Sequence, residues 1–264
     1  MSYKEQFLET GVSPIPIIDV HAHMGGVYGT SIPGGDVHGM IEVMNRENIE
    51  AIVASSHSAL FDPGSGNRET EEAMALYPDR IKGYYAYNPN YEELYLKDIS
   101  KAIENNGYIG FKFLPDYHGS SLSGGEYKTV LELADYYRLT VLSHTWGGSP
   151  GNAPLQAESI LKRYKGIKLI MGHSAPGELD RAIELAREYE NVYLDLCDIH
   201  RHSGIVEKMA DKAGADKILF GTDIPWYDPN YCLGSILFAD IPDGDKLKII
   251  NTNGKRLINH GGAN

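Results

Sequence analysis

Short apolar, β-branched or aromatic-rich runs recur along the chain at intervals of about 25 to 35 residues, the length of one strand, one helix and two loops. They fall at Ile15 to His23, Glu50 to His57, Ile81 to Asn88, Tyr108 to Leu114, Thr140 to Thr145, Lys168 to His173, Val192 to Cys197 and Lys217 to Ile224. Between them lie segments whose apolar positions are three and four apart, such as Glu126 to Tyr137 and Glu178 to Arg187, the spacing of an amphipathic helix. Strict alternation of strand and helix predicts an α/β protein with parallel strands. Eight such units in 264 residues leave no room for a second domain, so residues 1–264 are expected to form one (β/α)8 TIM barrel, a fold of about 250 residues. A doubly wound open sheet is the alternative.

Two segments interrupt the pattern with glycine. Met24 to Gly39 follows the first strand and Ser58 to Asn67 the second. Both are read as loops over the barrel mouth, either plain surface loops or lids that exclude water. Neither is a phosphate loop, because Gly64-Ser-Gly-Asn67 lacks the lysine and the strand-to-helix context.

Composition narrows the class. With 42% hydrophobic and 23% charged residues, the chain can bury a core without covalent staples. Its two cysteines, Cys197 and Cys232, are far apart, which indicates neither a disulfide framework nor a cysteine zinc site. The first residues carry Lys4, Glu5 and Glu9 without a signal-like apolar run, and no later stretch reaches spanning length, so a soluble cytoplasmic protein is expected. A formal net charge of −12 argues against nucleic acid or anionic membrane as partner, since both need a basic footprint. A small-molecule substrate is the expected partner. A homo-oligomer is a general prior.

The chemistry sits at strand ends. The first strand ends Asp19-Val-His21-Ala-His23, and alternation places Asp19, His21 and His23 on one face. Alone, a His-x-His pair is a weak signal. Here His144 ends the fifth strand, His173 the sixth and Asp223 the eighth, and strand C-termini are where barrel enzymes place catalysis. A solitary histidine at such a place is more often a hydrogen-bonded structural residue. Four of them with an aspartate point instead to a divalent metal, taken as zinc. Lys112 lies on the fourth strand in phase with Gly110 and Leu114, and a buried lysine loses proton affinity.

The segments Asp19-Val-His-Ala-His23, Gly110-Phe-Lys112-Phe, Ser143-His144, Gly172-His173-Ser174, Gly221-Thr-Asp223-Ile-Pro225 and Asn253-Gly-Lys-Arg-Leu257 resemble the amidohydrolase superfamily in its amidohydrolase-related branch, over nearly the whole chain. The resemblance implies that His21, His23 and Asp223 hold metal. In single-metal decarboxylases of that branch His144 would complete the site, leaving His173 as an acid/base or orienting group. In two-metal members His144 and His173 would hold a second ion, bridged by a carboxylated Lys112. One ion is the favoured expectation, with Lys112 as a cation for an inward or substrate carboxylate.

The expected activity is metal-dependent hydrolysis of a small amide, ester or lactone. A metal-activated water would be the nucleophile, with His173 and Asp223 as the catalytic residues. The alternative is non-oxidative decarboxylation of a small unsaturated or aromatic acid. Asp19 and Asp195 are read as orienting or structural carboxylates. His57, His118, His200 and His202 lack a supporting motif, Arg201 could hold a substrate carboxylate, and Trp226 and Tyr227 are better pocket candidates than Tyr84 and Tyr85.

Overall fold

The computed structural model describes residues 1–26, 32–91, 99–100, 103–104 and 107–260, apart from the side chains of Arg201 and His260. Part of the first glycine-rich loop and the Arg201 side chain therefore lie outside the described residues. Eight strands, β1 (Ile17–Met24), β2 (Ile49–Ser56), β3 (Ile81–Ala86), β4 (Tyr108–Phe113), β5 (Thr140–His144), β6 (Lys168–Gly172), β7 (Val192–Asp195) and β8 (Ile218–Leu219), pair in sequence order. All seven consecutive pairings are parallel. Beyond Leu219 the chain returns to β1. Val20 N–H donates to Phe220 O at 3.0 Å, and His23 N–H to Ile224 O at 2.7 Å, with a parallel bridge between Ala22 and Ile224. The sheet thus comes close to closing on itself as a (β/α)8 TIM barrel.

Two apolar layers follow from the alternation. Ile52, Ala54, Phe111, Val141 and Leu169 face outward under the helices, whereas Ile18, Val20, Val53, Tyr84, Leu142 and Leu219 fill the interior together with Leu257. Leu257 belongs to the last helix, Asn253–His260, which packs against β1, β4 and β8. The interior is a packed core rather than a pore, as expected for eight strands.

The two sequence-predicted helices appear as Lys128–Tyr136 and Leu179–Glu188. The second glycine-rich segment is largely not a loop. Asp62 accepts hydrogen bonds from Gly64 and Ser65 N–H and starts a helix over Pro63–Leu76 with proline in its first turn, a standard N-terminal arrangement. Gly66 is required for packing, because a Cβ there would sit 2.1 Å from Ala59 N. Gly66, read as part of a loop, serves close approach instead.

Strand β1 departs from simple alternation. Asp19 pairs with Ile52 and Ala22 with Ala54, so β1 spends three steps where β2 spends two, which is a β-bulge. Ile18 and Val20 face inward, with Asp19 between them on the other face, so Asp19 does not share the histidines' face as alternation implied. It accepts hydrogen bonds from His21 N–H at 3.0 Å, from Thr222 N–H at 3.2 Å and from the Thr222 hydroxyl. Its role is to tie β1 to the β8 turn, and it makes no pair with Lys112.

Candidate active site

The bulge turns His21 toward the mouth, and His23, paired with Ser55, follows. Asp195, the last residue of β7, lies with its Oδ2 2.5 Å from His21 Nδ1. A carboxylate only accepts, so Nδ1 carries the proton and Nε2 is left with a free lone pair. His23 is fixed the same way, with Nδ1–H donating to Ser55 O at 3.1 Å. Both Nε2 atoms then face one carboxylate oxygen: Asp223 Oδ1 is 3.4 Å from His21 Nε2 and 3.1 Å from His23 Nε2. Among the described residues the donor that meets this group is Lys112 Nζ, beside His21 Nε2. The ligand atoms of His21, His23 and Asp223 all lie within 4.8 Å of one another, a donor set that fits a divalent ion.

Burial favours the neutral form of His21, His144 and His173, the form that binds metal. Burial, reinforced by Lys112, holds His21 well below the usual histidine range, and burial with His21 beside it does the same to His173. His144 is lowered to about 4 by burial and Lys112. Burial alone would raise Asp223, but His21 and His23 hold it well below the usual carboxylate range. Lys112 Nζ lies 2.6 Å from His21 Nε2, and burial lowers its affinity for a proton. Among the described residues its hydrogen-bond partner is therefore an imidazole rather than an inward carboxylate.

His173 and Asp223 sit in the left-handed backbone region, with φ of 65° and 62°, and Ser174 and Ala175 continue it at 53° and 47°. Such residues cost on the order of 1–3 kcal/mol each and gather at functional sites. Gly221, just before Thr222, is confined by chemistry, since a Cβ there would fall 2.0 Å from Asp195 Oδ1.

A cavity of about 470 Å³ opens above this floor, lined by His21, His23, His57, Leu60, Phe61, Lys112, Leu114, Tyr117, His144, Trp146, His173, Asp223, Trp226 and Tyr227. The six residues singled out from the sequence, His21, His23, Lys112, His144, His173 and Asp223, thus reach one hollow. His144 is set apart within it. It stacks on Trp146 with rings 5.7 Å apart and 4° from parallel, and is not one of the three whose ligand atoms share 4.8 Å reach. His57 belongs to the wall, stacked 4.9 Å from His23. Its Nδ1–H donates to Gly25 O at 3.0 Å and its Nε2 accepts from Trp226 Nε1–H at 2.7 Å. Tyr117, Trp226 and Tyr227 line the cavity, while Tyr84 lies in the barrel interior and Tyr85 under the helices. His118 bonds to Tyr127 away from the cavity, and His200 and His202 line a different hollow. Sequence reasoning did not find Trp146, Leu60 or Phe61, because nothing in the connections beyond the strands signals which way a side chain turns. Cys197 was set aside on spacing, yet its sulfur lies within 4.8 Å of ligand atoms of His21 and His173.

A pH dependence of stability follows. His57 and His118 are lowered to about 4 by burial, as is His144, and His21 and His173 are held well below the usual histidine range. Between about pH 6.5 and 4 the unfolded chain binds protons these sites refuse, so folding stability falls as pH falls through that window. Burial raises Asp19 to about 8 and raises Asp195, which opposes the trend, but five imidazoles outweigh two carboxyls. The metal-free protein should lose on the order of a few kcal/mol between pH 7 and 4.5. Calorimetric Tm against pH checks it, and a flat or rising Tm on acidification contradicts it.

A near-closed barrel of eight parallel strands with imidazoles and a carboxylate gathered at the strands' C-terminal mouth is a TIM barrel carrying a candidate metal site. The chain belongs to the amidohydrolase family (Amidohydro_2), whose signature matches residues 18–259. A curated relative, the gamma-resorcylate decarboxylase of Polaromonas sp., is 22% identical over 277 residues, covering 84% of each chain. Among solved structures, 2,6-dihydroxybenzoate decarboxylase from Rhizobium is similar with a TM-score of 0.73 at 15% identity, over 94% of this chain and 100% of the other. The dihydroxybenzoic acid decarboxylase of Polaromonas sp., solved with bound manganese and 2-nitroresorcinol, gives a TM-score of 0.69 at 16% identity, over 93% and 97%. Among the described residues no helix is long and apolar enough to cross a membrane.

Proposed function

We propose that the protein is a metal-dependent, non-oxidative decarboxylase of a small hydroxylated aromatic acid. The observation that carries the reading is the match between floor and wall. Three ligand atoms and a buried amine face the oxygens of an acid, while Phe61, Tyr117, Trp146, Trp226 and Tyr227 offer flat apolar surface to its ring. The decarboxylase relatives support this reading over hydrolysis, which the motifs by themselves favoured.

The ion would be held by His21, His23 and Asp223, with His144 at the cavity wall. When bound, it supplies positive charge against substrate oxygens. The contributions of the chain's own side chains are separable. Asp195 and Ser55 fix the two tautomers. Lys112 would hold the substrate carboxylate. His173, neutral and buried, moves the proton. The ring carbon gains one proton, drawn from solvent through His173, as its bond to the carboxyl carbon breaks and the carboxylate leaves as carbon dioxide, with no water consumed.

A two-ion arrangement has one observation in its favour. Burial lowers Lys112 toward the neutral amine that carbon dioxide can carboxylate, and His144 and His173 would then face a second ion. Zinc and manganese are both compatible with the donor set.

The test is turnover of a panel of hydroxybenzoic acids, including 2,6-dihydroxybenzoate, in deuterated and in oxygen-18 water. The expected result is carbon dioxide, one deuterium at the ring carbon, and no solvent oxygen in the organic product. Solvent oxygen in a product carboxylate, from an ester, lactone or amide panel, would instead establish the hydrolase.

A further inference from the structure

Cys197 lies two residues beyond the end of β7 and is fully buried. Its sulfur and one ligand atom each of His21 and His173 lie within 4.8 Å of one another. This is the same criterion that the His21, His23 and Asp223 set meets, and all three members of the inner set are buried whereas Asp223 is partly open. A second feature points to a ligand here independently of the thiol. His173 is 5% exposed, and its Nδ1 is buried with no hydrogen-bond partner among the described residues. An unpaired buried polar atom costs about 1–3 kcal/mol, and native proteins rarely leave one without a reason. The three left-handed residues His173, Ser174 and Ala175 hold that ring in place at further cost.

We propose that His21, His173 and Cys197 form an inner seat for a thiophilic divalent cation such as zinc, cobalt or cadmium, a seat that competes with the outer set for His21 and, when filled, takes His173 out of proton transfer. Two imidazoles and a thiolate match a borderline-soft ion, whereas the two imidazoles and carboxylate of the outer set also accept a harder one such as manganese. Binding replaces the Cys197 S–H by a sulfur–metal bond and releases that proton to solvent. No oxidant or reductant takes part. Cys232, which donates to Gly221 O at 3.6 Å, belongs to the helix Pro229–Leu237 and is not a member of the seat.

The experiment is titration of cobalt(II) into the full-length chelator-treated protein and into its Cys197→Ser and Cys232→Ser variants, read by absorption and by proton release. The expected result is a thiolate-to-cobalt charge-transfer band in the wild type and in Cys232→Ser that Cys197→Ser abolishes, with one proton fewer released. X-ray absorption of the zinc-loaded wild type provides a reading that needs no variant. It should contain one sulfur at about 2.3 Å. Cobalt d–d bands without a sulfur band, together with a zinc shell lacking sulfur, overturn the inner seat and leave the outer ion standing. A sulfur signal lost only in Cys232→Ser also overturns it. A protein that takes up neither metal overturns both seats.

Discussion

Asp223→Asn should leave a folded protein with kcat/KM lowered on the order of 10³-fold, the several kcal/mol that a charge-stabilising ion contributes. The reasoning starts at the backbone. Asp223 sits at φ 62°, a conformation asparagine adopts as readily as aspartate, and its N–H donates to His21 O at 2.7 Å, which the substitution preserves. What changes is the atom facing the two Nε2 lone pairs. An amide either turns its NH2 toward them, closing the site with a hydrogen bond, or presents a neutral oxygen that holds a cation weakly. Metal content by elemental analysis, turnover and Tm measured on one preparation check the prediction. Near-normal activity with a full complement of metal would show that Asp223 does not anchor the ion.

Asp195→Asn should weaken metal affinity by about 10–100-fold, the usual effect of removing a group that orients a ligand histidine. Asp195 Oδ2 meets His21 Nδ1 at 2.5 Å and His173 N–H at 3.4 Å, while Oδ1 accepts from Cys197 N–H at 3.0 Å. Two acceptor oxygens serve three donors. Asparagine has one acceptor oxygen, so either His21 or the backbone after β7 must face an NH2 group. If His21 loses its acceptor, the ring can carry its proton on Nε2, the nitrogen the ion needs. Competition with a fluorescent chelator measures the affinity, and a wild-type value would mean that His21 is oriented without Asp195.

The barrel and the mouth residues were legible because both obey short-range rules. Apolar runs mark the strands, His144 ends β5, His173 follows β6 directly and Asp223 lies four residues past β8, and a barrel collects all strand ends in one place. What was hidden depends on contacts between distant segments. The β1 bulge breaks the alternation that would have put Asp19 beside the histidines, and nothing within Asp19-Val-His-Ala-His23 signals the extra residue. The partner of His21 comes from 174 positions away, and Cys197 approaches the same ring although cysteine spacing excluded it. The Asp62 cap shows the converse. Its Asp-Pro start was readable as a helix N-terminus, but the glycines that follow masked it.

The central claim is that one divalent ion sits where His21 Nε2, His23 Nε2 and Asp223 Oδ1 converge. Anomalous diffraction from crystals of the protein loaded with manganese or zinc tests it most directly. The account predicts a peak about 2.0–2.2 Å from all three atoms, with Lys112 Nζ displaced from His21. No peak there, or a peak bound by none of the three, would contradict it.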